Sequence, residues 1–128
     1  EGFDFCNKDI DIAKKLGANI NLYHDPKKAA ENSDVLITDT WVSMGDFSDE
    51  DSSAKEYKIK LLQPYQVNQN LMALANKNAI FTHCLPAYRG FEVSSQVIDS
   101  RQSVIFEEAH NRLTAQQAIM LWLNNKNI

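Results

Sequence analysis

The chain has 128 residues, 44% of them hydrophobic and 23% charged, which suffices for one compact domain with a core and argues against several. A net charge of -4, with Lys and Arg scattered singly or in pairs, leaves no basic footprint for nucleic acid. No apolar run approaches the roughly 20 residues that span a bilayer, and Glu1-Gly2-Phe3-Asp4-Phe5 lacks the basic and apolar parts of a signal peptide, so a soluble, cytoplasmic protein without membrane partners is expected. Cys6 and Cys84 are far apart and have no zinc-type spacing, which speaks for two thiols rather than a disulfide framework or a structural metal site. The start at Glu1 instead of a methionine is expected to reflect truncation.

The predicted elements alternate. Ile10, Ile12, Ala13 and Leu16 recur at near-helical spacing over Asp9 to Leu16, and Gly17 stands where a helix C-terminus commonly has glycine. Ala18 to Tyr23 alternates apolar and polar with period two and reads as a strand covered mainly on one face. Asp25 is placed to cap a helix with Pro26 in its first turn. Asp34 to Thr38 is apolar almost throughout, as in a central parallel strand buried on both faces, and a polar loop follows from Thr40 to Ser53.

A helix over Ala54 to Leu62 is interrupted by Pro64, and Asn68 caps a second helix carrying Leu71, Met72, Leu74 and Ala75. Ala79 to Thr82 is the next strand, Ser94 or Ser95 starts a short helix through Ile98, and Ser103 to Phe106 is a fourth apolar run. The last helix, from about Ala109 to Asn125, has too many apolar residues for one narrow stripe and is expected to bury a second face. Strands alternating with helices, without hairpin turn signals, predict an α/β fold with a mainly parallel sheet flanked by helices on both faces.

Candidate chemistry falls at three strand ends, where open α/β sheets gather ligands. In Asp39-Thr40-Trp41-Val42-Ser43-Met44-Gly45, Asp39 can accept a charge-assisted hydrogen bond from an amine, Ser43 can add a neutral one, and the Met44-Gly45 backbone is approachable by a carboxylate. That suits an α-amino acid; on spacing alone, plain capping of a turn or helix by Asp39 and Ser43 is slightly favoured. His83-Cys84-Leu85-Pro86 joins a thiol to an imidazole, and the thiol serves as nucleophile, proton carrier, hydrogen-bond donor or inert small hydrophobe according to its surroundings. Pro86 fixes where the preceding carbonyls point, and its X-Pro bond is of the kind that can be cis. Arg112, near the predicted start of the last helix, can clamp an anion with the helix N-terminus; by itself, an ion pair with Glu108 four residues earlier is the stronger reading.

Taken together and in order, these segments resemble the ornithine carbamoyltransferases. Asp25-Pro26-Lys27-Lys28-Ala29-Ala30, Asn32-Ser33-Asp34-Val35, Asp39 to Gly45, Tyr65-Gln66-Val67-Asn68, His83 to Pro86 and Asn111-Arg112 carry the resemblance over nearly the whole chain. The Asp-x-x-x-Ser-Met-Gly and His-Cys-Leu-Pro strings point to the ornithine branch, and the strand pattern to a Rossmann-like second domain. The resemblance implies carbamoyl transfer from carbamoyl phosphate to the δ-amine of L-ornithine, giving citrulline and phosphate, with no metal or organic cofactor. It implies that Asp39 and Ser43 bind the α-amino group and that the Met44 backbone faces the carboxylate. Cys84 is then the active-site cysteine, positioning the δ-amine and moving its proton. The carbonyls of Cys84 and Leu85, set by a cis turn at Pro86, hold the carbamoyl NH₂, His83 and Pro86 are supporting residues, and Arg112 completes the carbamoyl phosphate site.

The family's Ser-x-Arg-Thr-Arg phosphate grip, its His-Pro-x-Gln segment and its Gly-Asp-x-x-Asn segment do not occur in these 128 residues, and His110 stands where glutamate usually precedes Asn-Arg. The chain is therefore expected to be a truncated ornithine-binding domain over 1–128, lacking the first strand and the carbamoyl-phosphate-binding domain. Alone it is expected to be inactive and prone to self-association, and its parent enzyme to be a homotrimer. A non-catalytic α/β module that binds an amino acid or a partner, and a carbamoyltransferase for another amine such as putrescine, are the competing readings.

Overall fold

The computed structural model describes residues 5–43 and 52–125. The elements run α1 (Asn7–Lys15), α2 (Pro26–Ala30), β1 (Val35–Ile37), α3 (Ser52–Leu62), a 3-10 turn over Gln63–Tyr65, α4 (Gln69–Met72), β2 (Ile80–Thr82), α5 (Ser95–Ile98) and α6 (Ile105–Asn125). Local chemistry sets most helix boundaries. Asp25 accepts from Lys27 N at 2.9 Å, Asn68 from Leu71 N at 3.1 Å and Ser94 from Val97 N at 3.4 Å, each satisfying an amide that its helix leaves unpaired. After α1, Gly17 N–H donates to Lys14 O and Ala18 N–H to Ala13 O, both at 3.0 Å, a closure that needs the left-handed φ of +89° that Gly17 adopts.

β1 and β2 pair in parallel with Val35 opposite Ile80, Leu36 opposite Phe81 and Ile37 opposite Thr82. The fourth apolar run adds a third lane through a single parallel bridge from Ser103 to Phe81, with Phe81 N–H donating to Gln102 O at 2.7 Å and Val104 N–H to Phe81 O at 2.9 Å. β2 is therefore bonded on both sides, through Ile80 and Thr82 to β1 and through Phe81 to the third lane, and Phe81 is fully buried at the centre of a core that includes Leu36, Met72, Val93, Val97 and Ile105. The architecture is α/β with a parallel sheet, as the alternation of elements predicts.

Four expectations are corrected. Residues 18–23 form no strand. Period-two alternation makes a strand only where a neighbouring lane supplies partners for its N–H and C=O groups, and the described sheet stops at β1 on that side. β1 is covered on one face only, since Leu36 is buried while Val35 and Ile37 are exposed. The last helix begins at Ile105, four residues earlier than predicted, and takes Phe106 from the fourth apolar run. Its second face is not buried among the described residues, because α6 packs its first turn onto β2 and every residue from Ala109 to Asn125 is exposed.

Ile119, Met120, Leu121, Trp122 and Leu123 are thus each at least half exposed, an unusual concentration of apolar surface. The 128-residue chain is expected to associate in solution, with Ile119→Lys and Leu123→Lys together lowering the mass measured by light scattering. A monomer at every loading concentration before substitution would contradict this.

Candidate active site

Parallel pairing in this register sets the two strand ends side by side. Two residues past the Ile37–Thr82 pair, the Cys84 thiol donates to Asp39 Oδ1 at 3.1 Å. The same oxygen accepts Thr40 N–H at 2.7 Å, and Thr40 Oγ1 donates to Val42 O at 3.2 Å, so a short turn holds the carboxylate. Both bonds to Asp39 fall on Oδ1, which leaves Oδ2 its accepting capacity among the described residues. Asp39 and Cys84 are both exposed and so accessible to a ligand. The capping reading is half realised: Asp39 organises a turn, but 41–43 form no helix.

The contact sets the protonation of both groups. The Cys84 thiol, and after it Thr40 N–H, stabilises the Asp39 carboxylate and holds its pKa below the usual value, with the nearby His83 adding to the same effect. The hydrogen bond to Asp39 raises the Cys84 pKa, and partial desolvation and the negative charge of Asp39 push it further the same way. At neutral pH the pair is thiol and carboxylate. An unassisted thiolate nucleophile is disfavoured here, because a neighbouring carboxylate opposes the charge that attack requires.

The loop after β2 is fixed from within. Leu85 N–H donates to His83 Nδ1 at 2.8 Å, Leu85 takes a φ of +57°, and the Leu85–Pro86 bond is cis, as expected of this turn. His83 is buried, and its Nε2 lies 3.4 Å from Oε1 of the buried Glu92. Glu92 Oε1 also accepts Tyr88 N–H. On the other side, Glu108 Oε2 accepts His83 N–H at 3.0 Å and the Thr82 hydroxyl, joining the first turn of α6 to the end of β2.

That use of Glu108 corrects the predicted Glu108–Arg112 ion pair, which is not formed among the described residues. Arg112 Nη1 instead reaches Cys84 O at 3.5 Å. The expected union of Arg112 with a helix N-terminus is not formed either. With α6 starting at Ile105, Arg112 lies about two turns inside the helix, and Glu107 and Glu108 occupy the first turn, where the helix dipole favours acids.

Asp39, Cys84 and Arg112 are thus brought together around the Cys84 backbone, with Leu85 and Pro86 next to it. Ser43 is exposed four residues beyond Asp39, and Met44 lies outside the described residues. Sequence reasoning missed the buried Glu92 that faces His83 and misassigned Glu108. The available signal for Glu92 was a lone acid between Phe91 and Val93; for Glu108, a second acid beside Glu107 just after an apolar run. Among the described residues, no group of three or more His, Cys, Asp or Glu side chains is arranged to hold a metal ion, and no helix is long and apolar enough to cross a membrane.

The thiol–carboxylate contact has a measurable consequence. In a Cys6→Ser background, Asp39→Asn is expected to speed alkylation of Cys84 at fixed pH near 8, because losing the carboxylate lowers the thiol pKa and raises the thiolate fraction. An unchanged rate-versus-pH curve would show that the two side chains do not interact.

The family model described as "Aspartate/ornithine carbamoyltransferase, Asp/Orn binding domain" matches residues 2–123. An ornithine carbamoyltransferase of Nitratiruptor sp. is 52% identical over 115 residues, covering 90% of this chain and 36% of the relative. The solved ornithine carbamoyltransferase of Pyrococcus furiosus is similar with a TM-score of 0.80 at 41% identity, over 93% of this chain and 38% of that one. The anabolic ornithine carbamoyltransferase of Campylobacter jejuni gives 0.79 at 44% identity, over 91% and 37%. The chain therefore spans little more than a third of the length of these proteins. With the parallel sheet and both motif-bearing strand ends in place, the chain belongs to the aspartate/ornithine carbamoyltransferase family, in its Asp/Orn binding domain.

Proposed function

We propose that this chain supplies the ornithine-binding half of an enzyme that carbamoylates the δ-amine of L-ornithine, giving citrulline and phosphate. The observation that carries the reading is the meeting of Asp39, Cys84 and Arg112 at two adjacent strand ends. In this reading Asp39 Oδ2 and Ser43 receive the α-amino group, and the Met44 backbone faces the carboxylate. The carbonyls of Cys84 and Leu85 accept from the carbamoyl NH₂, while Arg112 stands beside the carbamoyl phosphate.

The reaction joins the δ-nitrogen to the carbamoyl carbon as the bond from that carbon to the phosphate oxygen breaks, and the amine gives up a proton. Cys84 suits this step as a relay. Its sulfur takes a proton from the amine while its own moves to Asp39 Oδ1, so no covalent bond to the protein is needed. Most of the acceleration comes from orientation and from donors aimed at the tetrahedral centre. The residues that grip the phosphate are proposed to lie in the part of the enzyme that this chain does not span, so the 128 residues alone are expected to show no turnover.

The test is citrulline formation by the full-length protein from ornithine and carbamoyl phosphate. Cys84→Ala is expected to lower kcat by about 100-fold. Asp39→Asn removes a charge-assisted hydrogen bond worth about 1.5–3 kcal/mol, and is expected to lower kcat/KM for ornithine by roughly 10- to 100-fold. Absence of citrulline, or turnover only with putrescine or another amine lacking an α-carboxylate, would overturn the assignment.

A further inference from the structure

We propose that Glu92 is a positioning residue for the reaction, acting through His83 to set the Cys84 and Leu85 carbonyls. The proposal rests on the carbamoyl-transfer reading for its kinetic part and on geometry alone for its structural part.

Glu92 is fully buried, and so is the His83 it faces. A carboxylate without solvent is costly unless it is paired, so its presence calls for a task. Its backbone is anchored away from the loop it serves. Glu92 O accepts Val67 N–H at 2.9 Å, Val93 bridges both Val67 and Arg89, and Gln66 Nε2 donates to Gly90 O at 2.8 Å and Phe91 O at 2.9 Å. From this fixed base a single oxygen, Oε1, takes Tyr88 N–H and faces His83 Nε2 at 3.4 Å.

The tautomer of His83 follows from its other bond. Nδ1 accepts Leu85 N–H at 2.8 Å and therefore carries no hydrogen, which puts the hydrogen on Nε2, facing the carboxylate. The imidazole is a strut between an anchored anion and the amide of Leu85. Leu85 needs that strut, because a leucine at φ +57° occupies a region that residues with a Cβ rarely hold unless their surroundings impose it. The negative charge polarises Nε2–H and so makes Nδ1 a better acceptor, so the carboxylate strengthens a bond two links away. Its second oxygen, Oε2, is buried without a hydrogen-bond partner, and His83 Nε2 is not aligned for a full hydrogen bond, so the link from Glu92 to the imidazole is mainly electrostatic. Loop atoms 84 and 85 are thus aimed by a residue that touches no substrate.

Glu92→Gln keeps the shape and removes the charge. In the full-length protein it is expected to lower kcat by roughly 10- to 100-fold while KM for ornithine stays within about twofold, the pattern of misaimed reacting atoms. The ¹⁵N spectrum of labelled histidine is expected to show His83 leaving its single Nε2–H tautomer. His83→Asn retains an acceptor for Leu85 N–H but cannot reach Glu92, so it should show the same kcat loss, and adding Glu92→Gln to it should cost nothing further. Wild-type kcat in Glu92→Gln, or an additive loss in the double variant, overturns the proposal, as does a loss fully explained by a lower folded fraction. If Glu92→Gln does not fold, a normal kcat in His83→Asn overturns it equally. If the wild-type protein forms no citrulline, the carbamoyl-transfer reading fails by itself, and the histidine spectrum still decides whether Glu92 sets the tautomer.

Discussion

The parallel pairing of Val35–Ile37 with Ile80–Thr82 governs how the candidate site of this chain is put together. Side chains alternate between faces along a strand, so the register that opposes Ile37 to Thr82 also decides which residues meet two positions later. In this register those residues are Asp39 and Cys84, separated by 45 positions in sequence and 3.1 Å in space. The register is itself fixed by burial. Leu36 and Phe81 lie opposite each other and both are in the core, so a slip by one residue would set Ile80 or Thr82 opposite Leu36 and turn Phe81 away from the core.

A second level of control comes from two acids that hold the end of β2 and the loop after it. Glu108 ties Thr82 and the amide of His83 to α6, and Glu92 faces the imidazole from the opposite side. His83 is the shared node. Its main chain is bonded to one carboxylate, its ring faces another, and its second ring nitrogen holds Leu85. The motif that looks in sequence like a thiol beside its base is in space a thiol beside a carboxylate, with the histidine turned inward.

Much of this was legible before any coordinates. Asp25, Asn68 and Ser94 cap helices because capping is decided within three residues of sequence, and Gly17 ends α1 for an equally local reason. The candidate residues Asp39, Cys84 and Arg112 were found by motif and strand-end position, and the fold brings them together. What failed was whatever depends on distant neighbours. Residues 18–23 carry a strand pattern but no lane beside them, and β1 reads as buried on both faces while Val35 and Ile37 stand open. Glu92 was illegible because Phe91-Glu92-Val93 suggests an outward acid, whereas the irregular bridges at Val67, Arg89 and Val93 turn it inward.

The register also sorts the chain by its tolerance of length change. One residue inserted between Leu36 and Asp39 would reverse the face on which the carboxylate emerges, with every side chain of the site still encoded. The α3 to α4 region, by contrast, carries its own local closure, the Asn68 cap of α4, and loop length there changes closure entropy only slowly. Divergent relatives should therefore differ in length between residues 46 and 62 far more readily than within the three residues before Asp39 or the two before Cys84. The distance from strand end to functional group is the quantity this architecture cannot vary.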